Sequence, residues 1–145
     1  MDTGTWGITT EEVIHTLQTE KTCTLATCAG NRVTIRPMSH VNEGLTVFFQ
    51  TGKDSLKMRQ IRENPNVALC VGTYEIEGTA VDTGHPSREE NAFFARAYQA
   101  KHPGSYERYS GLEDEVVVKV VLRRVRHWRY INGEPFLAEM SIAKD

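Results

Sequence analysis

Apolar residues recur first at helical spacing and then, for most of the chain, at every second position. Val13, Ile14 and Leu17 form one stripe, which predicts a helix from Thr9 to Thr19. Thr9 and Glu12 match a capping box, and Ile8 and Val13 stand where a hydrophobic staple places its pair. Strand patterns follow: Thr22–Cys28, a turn at Ala29-Gly30-Asn31, an extended run over Arg32–Val41, a turn at Asn42-Glu43-Gly44, then Leu45–Thr51. Pro37 has no N–H to give to a ladder, so its strand is expected at an edge or to be irregular there. Three strands with short turns read as an antiparallel meander.

A short helix is expected over Lys53–Glu63, stopped before Asn64-Pro65. Two more strands follow, Asn66–Gly72 and Tyr74–Asp82, then a helix over Ser87–His102. A second capping box, Ser87 with Glu90, would start that helix, and His102-Pro103-Gly104 would end it. Val116–Tyr130 reads as one long strand whose apolar phase slips near Arg123-Arg124, which predicts a bulge there. Six or seven strands with intervening helices make an α+β protein built on a small barrel, and the 145 residues read as a single domain.

Composition narrows the function classes. With 39% apolar and 25% charged residues the chain is ordinary globular material, and a net charge of −2 argues against a dedicated nucleic-acid binder. Lys119, Arg123, Arg124, Arg126 and Arg129 make the long strand basic, which pairing to an anionic cofactor or an interface would also explain. No apolar run approaches a membrane span, and Met1–Trp6 lacks a signal-peptide pattern, so a cytoplasmic location is expected. The three cysteines are too few for a disulfide framework and, on apolar strands, read as buried reduced thiols.

Most motifs carry no chemistry. Gly52-Lys53 looks like the end of a phosphate loop, but Val47 stands where its first glycine is needed. The histidines lack metal-ligand spacing, and no metal is expected. The segment Arg32–Lys57 differs. It offers Arg36-Pro37-Met38 on one strand, Phe48-Phe49-Gln50-Thr51 on the next, and Ser55 and Lys57 at a helix start. A helix N-terminus with hydroxyls and two cations suits a phosphate. The same residues also fit a helix capped by Thr51 or Asp54 beside an ordinary exposed arginine, and taken alone they leave both readings open.

Taken in order, Thr24-Leu25-Ala26-Thr27, Arg36-Pro37-Met38, Phe49-Gln50-Thr51, Ser55-Leu56-Lys57, Ile61 through Leu69 and Glu77-Gly78-Thr79-Ala80 resemble the pyridoxamine 5′-phosphate oxidase-like, FMN-binding split-barrel family, especially its general-stress-protein branch. The resemblance implies a six-stranded antiparallel split β-barrel with flanking helices. It also implies a homodimer with FMN at the interface. Arg36 and Lys57 would hold the FMN phosphate with help from Ser55. Pro37, Met38 and Ser39 would run beneath the isoalloxazine, Gln50 and Thr51 would meet its pyrimidine edge, and Trp128 of a partner chain would pack on the ring.

The departures bear on substrate. Val41 replaces a lysine that holds the substrate phosphate in the oxidases proper, Leu56 replaces a basic residue, and Thr73 replaces a glutamine. The Arg-x-His signature after Trp128 is absent. The cofactor site is therefore expected to be kept and the vitamin-B6 site lost. The reading is an FMN-dependent oxidoreductase acting on a small molecule, with no catalytic residue identified. The alternative is a non-enzymatic flavin- or haem-binding stress protein, with His40 or His127 as possible iron ligands.

Overall fold

The helix expected from Thr9 is α1, Thr10–Thr19, in the computed structural model of the chain, which describes residues 7–142. Met1–Trp6, read above for a signal pattern, lies outside the described residues, as do residues 143–145. Both halves of the first capping box form: Glu12 N–H donates to Thr9 Oγ1 at 3.1 Å, and Thr9 N–H donates to Glu12 Oε1 at 2.8 Å. Val13 and Leu17 are buried, so the apolar stripe is the face that packs.

The strands are β1 Thr22–Ala29, β2 Arg32–Ser39, β3 Val41–Glu43, β4 Thr46–Gly52, β5 Asn66–Val71, β6 Tyr74–Gly84, β7 Glu115–Ile131 and β8 Glu134–Ser141. All pairings are antiparallel, in the order β2-β1-β5-β6-β7-β4-β3 with β8 also on β7. β2 and β3 are the two ends of that path, yet only His40 separates them in sequence. The sheet must therefore curl until its edges come together, which makes it a split barrel. Among the described residues its strands number eight rather than six. The extended run predicted over Arg32–Val41 breaks at His40 into β2 and β3, and β8 was not foreseen. Pro37 does stand on an edge strand, opposite Thr24.

Inward positions alternate along the strands and meet in a main core, which includes Leu25, Phe49, Leu69, Ile76, Val120 and Val125. The bulge falls where the phase slipped: Glu77 faces Arg124 and Gly78 faces Leu122, leaving Arg123 unpaired. A Cβ on Gly78 would stand 2.9 Å from the Val121 carbonyl oxygen, so only glycine lets β7 approach here.

The helices are α2 Leu56–Glu63, α3 Ala92–Lys101 and α4 Pro103–Tyr109. The second capping box does not form. Ser87 Oγ lies 2.8 Å from His85 Nδ1, Glu90 pairs with Arg88 at 2.6 Å, and α3 starts later behind a 3-10 turn, Glu89–Asn91. Buried Asn91 does the organising, its amide donating to the carbonyls of Thr83, Gly84 and His85. Pro103, read as a stop, also begins α4, because the first helical position needs no N–H. The thiols are not uniformly buried: Cys23 is, Cys28 is half-buried and Cys70 is exposed. β5 has only one covered face, and Cys70 falls on the other.

Candidate functional site

Alternation along β2 sorts its residues. Thr34, Arg36 and Met38 take the half-buried side, while Val33, Ile35 and Pro37 are exposed. On the neighbouring strand β1, Thr27 continues the inward series Cys23, Leu25 and is fully buried. Arg36 Nη1 donates to Thr27 Oγ1 at 2.8 Å, and Arg36 Nη2 donates to Thr34 Oγ1.

The second cation comes from α2. Ser55 is the N-cap, its hydroxyl accepting from Met58 N–H at 3.4 Å, so neither Thr51 nor Asp54 caps this helix, which starts later than expected at Leu56. Thr51 O–H also donates to Ser55 Oγ at 3.3 Å, and Lys57 Nζ donates to Thr51 Oγ1 at 2.8 Å. With both acceptor positions of Ser55 used, its own hydrogen is left to donate outward.

These two groups of residues are one site. Gln60, one turn beyond Lys57 on α2, accepts from both Thr27 and Thr34 at 2.6 Å, which ties the helix to the Arg36 strand. Burial lowers the Lys57 ammonium below its ordinary value, the Arg36 charge lowers it further, and Glu115 acts the other way. Burial lowers Arg36 as well. Among the described residues no carboxylate forms an ion pair with either cation. Two neighbouring cations, hydroxyls and a capped helix start suit an anion with several oxygens.

The other expected residues are placed differently. Pro37 is exposed and Met38 packs against the core, so the two lie on opposite faces of β2. Ser39 reaches the Tyr98 phenol. Gln50 points away from Thr51, as adjacent strand residues must. It is buried, accepts from Ser110 Oγ at 2.8 Å, and keeps Nε2 without a hydrogen-bond partner. Trp128 is exposed, twelve residues along β7 from Val116, the partner of Thr51, or about 40 Å of extended chain. Within one chain it does not join the cluster.

Both histidines considered for iron have Nε2 engaged and a buried Nδ1 without a hydrogen-bond partner. His40 is fully buried with Nε2 2.9 Å from the Leu17 carbonyl oxygen, and His127 stacks on Tyr74 with Nε2 2.8 Å from Thr73 Oγ1. Val41, at the place of the missing lysine, is buried in a second core with Phe94, Tyr98 and Val117.

Sequence reasoning missed Gln60, Thr27 and Thr34. Their signal was phase: Thr27 is a polar residue on an inward strand position, and Gln60 shares a helix face with Lys57.

The model of the pyridoxamine 5′-phosphate oxidase family matches residues 9–129. The chain is similar to general stress protein 26 of Bacillus subtilis, 34% identical over 68 residues, a stretch covering 47% of this chain and 48% of that one. The alignment thus spans about half the length of that relative. Among solved structures, general stress protein 26 of Bacillus anthracis superposes with a TM-score of 0.65 at 20% identity, covering 90% of this chain and 98% of the other. HutZ, described as a haem storage protein of Vibrio cholerae, gives 0.68 at 16% identity, covering 78% and 89%. At those identities both structures show a shared fold.

Proposed function

The chain belongs to the pyridoxamine 5′-phosphate oxidase family, and from that premise we propose that it is an FMN-binding oxidoreductase, a homodimer in which each flavin lies between two subunits. One observation carries the reading: Arg36 and Lys57 sit together, each held by a threonine hydroxyl that accepts from it, and among the described residues neither has a carboxylate partner. A phosphate monoester brings about −1.5 to −2 charges near neutral pH, which two cations and several donors match. The unpartnered Nε2 of buried Gln50 is a further donor that a ligand oxygen would satisfy.

FMN would supply hydride or electron transfer to a small-molecule acceptor, while the protein supplies placement and access. Arg36 would grip phosphate oxygens with its planar fork, and Lys57 would add a compact charge held by Thr51. Ser55 would donate its free hydroxyl hydrogen from the helix cap. Trp128, remote from the cluster within one chain, would reach the flavin only from a second copy. Val41 leaves no cation where the vitamin-B6 phosphate would need one, so pyridoxamine phosphate is not the substrate proposed.

The test is the absorbance spectrum and mass of whatever small molecule purifies with the native protein. Flavin bands with the mass of FMN are expected. A haem Soret band, or reconstitution with FMN failing at micromolar concentration, would overturn the reading.

A further inference from the structure

We propose that Gln60 is the positioning residue of the anion site, fixing the Arg36 guanidinium through Thr27 and Thr34; the inference rests on the flavin reading only for the identity of the anion. Gln60 is 4% exposed, and both its amide oxygen and its amide nitrogen are engaged. Nε2 donates to the Arg32 carbonyl at 3.0 Å, and since that oxygen can only accept, the amide orientation is settled. Oε1 must then face the two threonines, at 2.6 Å from each hydroxyl.

The direction of every hydrogen follows. Each threonine has one hydroxyl hydrogen, and both go to Gln60 Oε1. Their lone pairs are thereby turned toward Arg36, which can only donate, and Nη1 and Nη2 take one hydroxyl each. Nη1 also reaches the Leu25 carbonyl at 3.4 Å. The guanidinium is held on one edge by neutral acceptors, which keep it in place without neutralising it. A carboxylate in the same role would compete with the anion for the charge; a neutral relay leaves the remaining N–H groups for the ligand. Because Gln60 and Lys57 lie one turn apart on α2, the same helix sets both cations.

Two readouts test this. In nitrogen-15 spectra of the flavin-free protein, assigned with Arg36→Lys, the Arg36 Nη signals should be distinct because rotation about the guanidinium is restricted. They should merge in Gln60→Leu and in the near-isosteric Thr34→Val, which guards against a core variant that fails to fold. Titrated with FMN and riboflavin, both variants should lose about tenfold of the preference for FMN while binding riboflavin nearly as wild type does. Gln60→Glu should lose at least as much, because the new charge would claim Arg36. Unchanged Nη signals in folded Gln60→Leu and Thr34→Val would overturn the positioning role whatever the flavin does. Wild-type protein that shows restricted Nη signals yet prefers neither flavin would instead sink the flavin reading and leave the relay standing.

Discussion

Ser39 and Val41 are two residues apart in sequence and close opposite edges of the sheet, one ending β2 and the other beginning β3. His40 between them is fully buried, and its surroundings are a corner where α1 and α3 meet the barrel. The Leu17 carbonyl accepts from Lys101 Nζ at 3.0 Å and lies 2.9 Å from His40 Nε2. Since a carbonyl only accepts, Nε2 carries the hydrogen. His102 Nε2 in turn reaches the His40 carbonyl at 2.8 Å.

This corner makes stability depend on pH. Burial, joined by the Lys101 and His102 charges and opposed by the Leu17 bond, pulls His40 down to about 4 from an ordinary 6.5. Its folded value lies below its unfolded one, so the unfolded chain binds the extra proton between them. The stabilisation is full above about 6.5 and is lost as pH falls toward about 4. His40→Gln, which retains a donor but cannot titrate, should flatten the denaturation midpoint over that window. His102 and His127, both lowered first by burial, keep a residual slope. A variant as steep as wild type would disprove the role.

A second, more acidic window belongs to Glu12. Burial alone would raise its carboxyl, but hydrogen bonds from Arg129, Tyr74 and the Thr9 backbone outweigh that and hold it at about 2 against 4.5. The Arg129 bond measures 2.6 Å. The folded value is again the lower one, so its contribution is complete above about 4.5 and disappears as pH falls toward about 2. Glu12→Gln should cost about 1–2 kcal/mol near neutral pH, allowing for partial exposure, with the gap to wild type closing near the acid end. Urea melts at several pH values measure this; a gap constant with pH would contradict it.

How far the fold was legible depended on whether a signal was local. The capping box at Thr9, the edge position of Pro37 and the bulge at Arg123 are written in adjacent residues and their phase, and each formed as read. β8 was missed because Glu134–Ser141 buries only Ala138 and carries Pro135 near its start, a weak pattern for a strand that has one neighbour. α4 was missed because Pro103 marks both an end and a beginning. In the site, the two cations were legible as residue types near a helix start. Gln60, Thr27 and Thr34 were not, because a buried polar relay exists only once α2, β1 and β2 meet.

The proposed dimer has a surface to form on. Val33 and Ile35, 64% and 66% exposed, lie on the outer face of edge strand β2 beside a hollow of about 350 Å³ that Ala26, Ala68 and Cys70 help line. Apolar side chains in that position call for a cover. Light scattering at micromolar concentration should give a dimer, and Ile35→Asp a monomer. Cys70 reports the same event: a thiol reagent should modify it slowly in wild type and rapidly in Ile35→Asp. Cys23, whose thiol burial pushes up to about 12, should stay unmodified in both until the protein unfolds. A wild-type monomer would refute the arrangement.

The phosphate site gives the sharpest comparison, because removing a cation should matter only to a ligand that carries the phosphate. Hydrogen bonds to charged groups contribute about 1.5–3 kcal/mol each, so Arg36→Ala should weaken FMN binding about tenfold to a hundredfold. Lys57→Ala should act in the same direction, since it removes the charge that Thr51 holds in place. Riboflavin, which has no phosphate, should be affected far less by either change. Lys53 is the control: its ammonium pairs with Asp114 at 3.5 Å and both side chains are more than half exposed, so Lys53→Ala should be nearly silent. Fluorescence titrations of flavin-free wild type and the three variants with both ligands measure all of this. Wild-type FMN affinity in Arg36→Ala and Lys57→Ala, or an equal loss for riboflavin, would place the phosphate elsewhere and remove the main support for the flavin assignment.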